Sequence, residues 1–125
     1  MSRPVLEESR IHPAIREKVG GNYADTLGEV QAAVAANKVV VVGMAMNPFP
    51  RKARRILDGL GTQYAYLEYG SYLSEWRRRT ALKMWSGWPT LPMVFVNGTL
   101  VGGAQELKKL VDSGEFTALV APKLV

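Results

Sequence analysis

Trp88-Pro89-Thr90-Leu91-Pro92-Met93-Val94-Phe95-Val96-Asn97-Gly98-Thr99-Leu100-Val101-Gly102-Gly103 is the stretch from which the fold can be read. Met93–Val96 and Thr99–Val101 are β-rich runs on either side of Asn97-Gly98, and Asn-Gly in that setting specifies a hairpin with a type I′ turn. Gly102-Gly103 interrupts the second run. A helix is predicted from about Gln105 to Asp112, and a short one after Gly114.

Upstream, Lys38-Val39-Val40-Val41-Val42 lies between Asn37 and Gly43 and reads as a central strand buried on both faces. Before it, Leu27, Val30, Gln31 and Val34 recur at helical spacing, with Asp25 as N-cap and Asn37 as stop. After it, Asn47-Pro48-Phe49-Pro50 leads into a helix over 51–60 whose Ala53, Ile56, Leu57 and Leu60 share a face and which Gly59 and Gly61 end. Residues 63–68 alternate as a second strand. Residues 71–86 are expected to form a third helix, capped by Ser71 or Ser74, with Leu73, Trp76, Thr80, Leu82 and Trp85 in apolar contact. A leader, 1–22, holds Pro4, Pro13 and Gly20-Gly21, with two helical turns expected from Pro13 to Val19. Residues 23–125 make up the one domain. Helix, strand, helix, strand, helix, hairpin and helix imply an α/β fold: a four-stranded mixed sheet flanked by helices, with an N-terminal helical extension.

Composition narrows the chemistry. The 125 residues suit a single core, and 47% apolar with 22% charged residues is ordinary for a globular protein. No apolar run approaches the ~20 residues of a membrane span, and the polar, acidic start predicts a cytoplasmic location without membrane partners. The cysteine count is zero, so disulfides, thiolate metal sites and self-ligated iron–sulfur clusters are excluded. His12 is the only histidine and reads as a surface or capping residue. The net charge is +5, and Arg51–Lys83 carries eight of the sixteen basic residues against the acids Asp58, Glu68 and Glu75. That balance favours an anionic partner.

With these elements in place, the block from Trp88 to Gly103 resembles the glutaredoxin family, its monothiol branch in particular, over about Asp25 to Leu119. The resemblance implies the thioredoxin fold, a cis-proline at Pro92, and a diglycine turn that approaches glutathione. It also implies glutathione-dependent oxidoreductase activity. Backbone groups of Thr90 and Leu91, placed before an edge strand, would pair with a peptide-like ligand. Gly103, Ala104 and Gln105 would bring backbone and helix-start amides to a carboxylate.

The family's redox motif, of type Cys-x-x-Cys or Cys-Gly-Phe-Ser, aligns with Asn47-Pro48-Phe49-Pro50. Asn47 takes the nucleophile's place and Pro50 the resolving residue's. A thiolate is the reacting species in thiol–disulfide exchange, and an asparagine amide does not ionise at neutral pH, so the family's redox activity is expected to be lost. The glutathione contacts carry over in part. Arg79, eleven residues before Thr90, matches the basic residue that binds the glycyl carboxylate. The family's lysine aligns near Met44, and its Cys-Asp after the diglycine reads Ala104-Gln105, then Glu106. Two missing charge-assisted contacts at about 1.5–3 kcal/mol each weaken glutathione by orders of magnitude unless Arg51, Lys52, Arg78 or Glu106 compensate.

The expectation is a glutaredoxin-like, redox-inactive protein whose groove binds glutathione, a peptide or a protein partner. Two alternatives stand beside it. One is a glutathione transferase-like enzyme in which Asn47 activates the ligand's thiol. The other is a purely structural partner-binding protein in which the leader covers the groove or mediates dimer contacts. The basic, aromatic stretch from Tyr69 to Arg79 reads as a solvated helix face rather than a nucleic-acid surface, because consecutive arginines on a helix diverge.

Overall fold

The computed structural model describes residues 4–18, 23–71 and 73–120. Expectations that touch the start of the leader, Gly20-Gly21, Tyr72 and the last five residues lie outside these. Four strands form one mixed sheet, order β2-β1-β3-β4: β1 (Val39–Gly43), β2 (Ala65–Glu68), β3 (Met93–Val96) and β4 (Thr99–Gly102). β1 runs parallel to β2 and antiparallel to β3, and β3 runs antiparallel to β4. Asn97 (φ 51) and Gly98 (φ 81) both take positive φ, as the type I′ hairpin requires.

All five residues of β1 are buried, as its valine run demands. Its side chains feed two cores. Val39 and Val41 pack with Ala53, Leu57, Leu107 and Phe116 beneath α2 (Pro48–Gly59), α4 (Ala104–Ser113) and α5 (Glu115–Val120). Val40 and Val42 pack with Val30, Leu82, Met93 and Phe95 beneath α1 (Ala24–Ala36) and α3 (Trp76–Ser86). The sheet is therefore covered by helices on both faces.

Several local expectations need correction. Tyr23, not Asp25, stands in the N-cap position of α1, and Asp25 lies in its first turn. α3 starts at Trp76 because Ser71 and Ser74 pair with each other as an isolated bridge and Glu75 (φ 59) is left-handed. Leu73 and Trp76 consequently point to solvent, as does Leu60 at the end of α2. The strand after Pro92 is internal, not an edge: β2 and β4 are the edges. Pro13–Lys18 forms a 3-10 helix, with His12 Nδ1 accepting from Ala14 N at 3.0 Å in a capping role. No helix among the described residues is long and apolar enough to cross a membrane.

Candidate functional site

Strand directions gather four loops at one end of the molecule. Val42 pairs with Met93 and Gly43 with Glu68, so the loop after β1, the loop after β2 and the segment before β3 emerge together. Gly102 pairs with Val94, which brings the diglycine and the start of α4 to the same end. Tyr69 N donates to Gly43 O at 2.9 Å and Ala45 N to Gly70 O at 2.7 Å, tying the first two loops to each other.

A cavity of about 260 Å³ opens there, lined by Phe49, Trp88, Thr90, Leu91, Pro92, Gly103, Ala104, Gln105 and Glu106. Thr90, Leu91, Pro92, Gly103, Ala104 and Gln105, separated by a strand hairpin in sequence, thus share one groove. The Leu91–Pro92 peptide bond is cis. Gly102 sits at φ +115, and a Cβ there would lie 2.7 Å from Glu106 Cβ, so only glycine fits. A Cβ on Gly103 would lie 3.3 Å from Pro92 O and 3.6 Å from Trp88 Nε1, so its bare backbone keeps the wall open. That indole N–H is buried with no hydrogen-bond acceptor among the described residues. Glu106 Oε1 accepts from Gly103 N at 2.9 Å, holding the turn; this carboxylate already has a structural task.

Arg79 stands apart from the groove lining. It is buried, and Nη1 donates to the carbonyls of Tyr69 (3.1 Å) and Ser74. The guanidinium thereby braces the loop before α3. Arg78, one of the expected substitute cations, bonds Asp25 at 2.9 Å and Glu75 at 2.7 Å, and its Nη1 also donates to Thr26 Oγ1. The hydrogen bond from Arg78 holds the Asp25 carboxyl below its ordinary range, and the same contact raises the Arg78 pKa. Met44, near which the family's lysine is expected to align, is buried in the core. Arg51 and Lys52 are exposed on the first turns of α2.

Asn47 is the N-cap of α2. It is 8% exposed with extended backbone (φ −112, ψ 127), and its Oδ1 accepts from Phe49 N at 2.9 Å. Pro48 follows at the first helical position, where a missing N–H leaves no bond unmade. Pro50 is buried beneath the helix. Among the described residues no cluster of three metal-ligating side chains exists. Trp88 and Phe49, both on the cavity wall, were within reach of sequence reading. Trp88 opens the fold-defining block, and Phe49 is the third residue of the Asn47-Pro48-Phe49-Pro50 loop, expected from the resemblance to stand where the family has its redox motif.

A protein-family model, Glutaredoxin, matches residues 39–101. The chain belongs to the glutaredoxin family. This glutaredoxin homologue is 45% identical over 96 residues to a glutaredoxin-like protein of Dictyostelium discoideum, covering 77% of this chain and 78% of the relative. It is 33% identical over 101 residues to an uncharacterised monothiol glutaredoxin of Synechocystis, covering 77% and 92%. Among solved structures it resembles oxidized glutaredoxin 2 from Chlamydomonas reinhardtii (TM-score 0.68, 28% identity, 82% and 94% covered). A buckwheat glutaredoxin–glutathione complex shares the fold (TM-score 0.66, 23% identity, 78% and 88% covered).

Proposed function

We propose that this glutaredoxin homologue works as a thiol-free binding module whose groove takes a peptide-like ligand, glutathione or a stretch of a protein partner, without redox turnover. The observation that carries this reading is a pairing at one end of the fold. The cavity between the cis-proline segment and the diglycine is open, while Asn47, at the position aligned with the family's nucleophile, is a helix cap with no ionisable group. Without a thiolate there is no attack on a disulfide. What remains is backbone recognition. Although β3 is internal, Thr90 and Leu91 precede its strand pairings and line the cavity, so they offer main-chain groups to an extended ligand, and the amides opening α4 at Ala104 and Gln105 suit its carboxylate. Gln105 accepts from a ligand ammonium. Arg79, bonded to the Tyr69 and Ser74 carbonyls, lies outside the groove lining and is not among the ligand's contacts in this reading.

Two measurements test the reading. Reduced glutathione titrated calorimetrically into the protein should bind in roughly the millimolar range, because two charge-assisted contacts are absent. Gln105→Trp, which fills the groove from an exposed position, should abolish that heat. In a glutathione-disulfide reductase assay the pure protein should show no turnover. Measurable turnover would remove the non-redox half of the proposal. Binding indifferent to Gln105→Trp would remove the groove.

A further inference from the structure

The rim of the same end carries apolar side chains that the core leaves out. Met46 is 72% exposed, Phe49 59%, Leu73 95% and Trp76 58%. All four lie in, or directly after, the two loops that Ala45 N and Tyr69 N tie together, and Phe49 also lines the cavity. One of these positions, and the residue before another, come with unusual backbone. Met46 (φ 62) and Glu75, the residue before Trp76 (φ 59), are left-handed without being glycine, a conformation that concentrates at functional sites.

This rim carries Arg51, Lys52, Arg77 and Arg78 against Glu68, Glu75 and Glu106, and of these acids Glu75 is paired with a cation. The rim's acids are engaged internally: Glu68 accepts from Tyr66 Oη at 3.0 Å, Glu75 pairs with Arg78, and Glu106 holds Gly103 N. Arg51, Lys52 and Arg77 are exposed, and among the described residues no carboxylate pairs with them. Arg77 instead lies 4.9 Å over the Trp76 ring, a pairing of the residue types that anchor protein interfaces.

We infer that this rim is a docking face for an extended acidic segment of another protein, one carrying aliphatic or aromatic side chains between its carboxylates. The inference rests on the groove reading above and names its partner. The segment's backbone follows Thr90 and Leu91, its apolar side chains cover Phe49, Met46 and Trp76, and its carboxylates meet Arg51, Lys52 and Arg77. Single-stranded nucleic acid fits less well. It needs successive stacking platforms along a basic groove, whereas Met46 and Leu73 offer aliphatic surface that serves neither base nor phosphate.

Panning a displayed library of random nonapeptides on the full chain tests this. Enriched sequences should combine Asp or Glu with Leu, Phe or Trp. The best peptide, measured by fluorescence anisotropy, should weaken about tenfold in Trp76→Ser and in Arg51→Glu/Lys52→Glu, and again on raising salt. These positions are exposed, and acids early in a helix favour it, so both variants should fold. Gln105→Trp should weaken the same peptide. Enrichment without acidic bias, or binding indifferent to both rim variants, overturns the docking face. If Gln105→Trp still abolishes that binding, the groove reading survives. Binding that needs the rim but not Gln105 overturns the groove alone. Displacement of the peptide by a twenty-nucleotide thymidine strand at equal affinity would reassign the face to nucleic acid and overturn the proposal.

Discussion

Asn47 has its backbone extended in front of α2 and commits its carboxamide oxygen to Phe49 N, one of the amide donors that a helix start leaves without a partner. Asn47→Ala removes that acceptor and should lower stability by about 0.5–2 kcal/mol in chemical denaturation, the usual range for an N-cap. An unchanged midpoint would mean that water replaces the cap at no cost. Asn47→Cys asks the complementary question. A thiol here sits at a helix N-terminus, near the exposed Arg51 and Lys52, with no acid in the first turn. Its pKa should fall below the ~8.5 of a free cysteine, read from the pH dependence of iodoacetamide labelling. A labelling midpoint at or above that value would show that Pro48 and Pro50 have removed too much of the helix-end field. From the resemblance, Asn47 is expected opposite the redox nucleophile, and Asn before Pro is itself a cap signal, so its task was open to sequence reading. Arg79 was not. Its inward turn is set by the carbonyls of Tyr69 and Ser74, whose positions depend on how the loop after β2 folds back.

The strands and α2 followed from local pattern because each is fixed by its own residues: the valine run, the Asn-Gly turn, the Ala53–Leu57 face. α3 departs because its N-terminal turns are held from outside. Gly70 (φ 65) turns the chain, Ser71 pairs with Ser74, and Arg79 draws in the loop carbonyls, so helix begins five residues later than its sequence suggests. The loop is fastened on its other side by Tyr69, and a second tyrosine is tied within β2. Tyr69 donates to Glu29 of α1, and Tyr66 donates to Glu68 with Arg54 4.1 Å over its ring. Burial, then the adjacent carboxylate, pushes Tyr66 up to about 12 and raises Tyr69 as well. An unfolded tyrosine titrates near 10, so the folded state holds these protons more tightly. Stability linked to them is fully present below about pH 10 and lost as pH rises through the folded values. Denaturant melts from pH 8 to 12 should show that alkaline decline, and Tyr66→Phe and Tyr69→Phe should each flatten part of it. Parallel slopes in wild type and both variants would assign the decline to other groups.

At the scale of the whole molecule, two β-strands, β1 and β3, supply both cores, and the residues beyond their faces contribute unequally. Phe116, on the short α5, is fully buried against α2 and α4 although its helix has only six residues. Removing a side chain of that size should cost about 3–5 kcal/mol, because the surrounding rigid layers cannot collapse into the space. The described part of the leader is the opposite case. Its first 3-10 turn buries no residue, and Val5, Leu6 and Ile15 are each about half exposed or more. Apolar area left in water contributes little to folding, since hydrophobic stabilisation scales with area removed from it. Deleting residues 1–18 should therefore change the unfolding free energy by less than about 1 kcal/mol, within the range of surface changes. The same deletion should leave the groove's ligand affinity unaltered. Paired thermal and denaturant melts of Phe116→Ala and the deletion put the two side by side. A deletion as damaging as Phe116→Ala, or one that changes oligomeric state or opens the groove to tighter binding, would make the leader part of the working surface and return the structural partner-binding reading to the front.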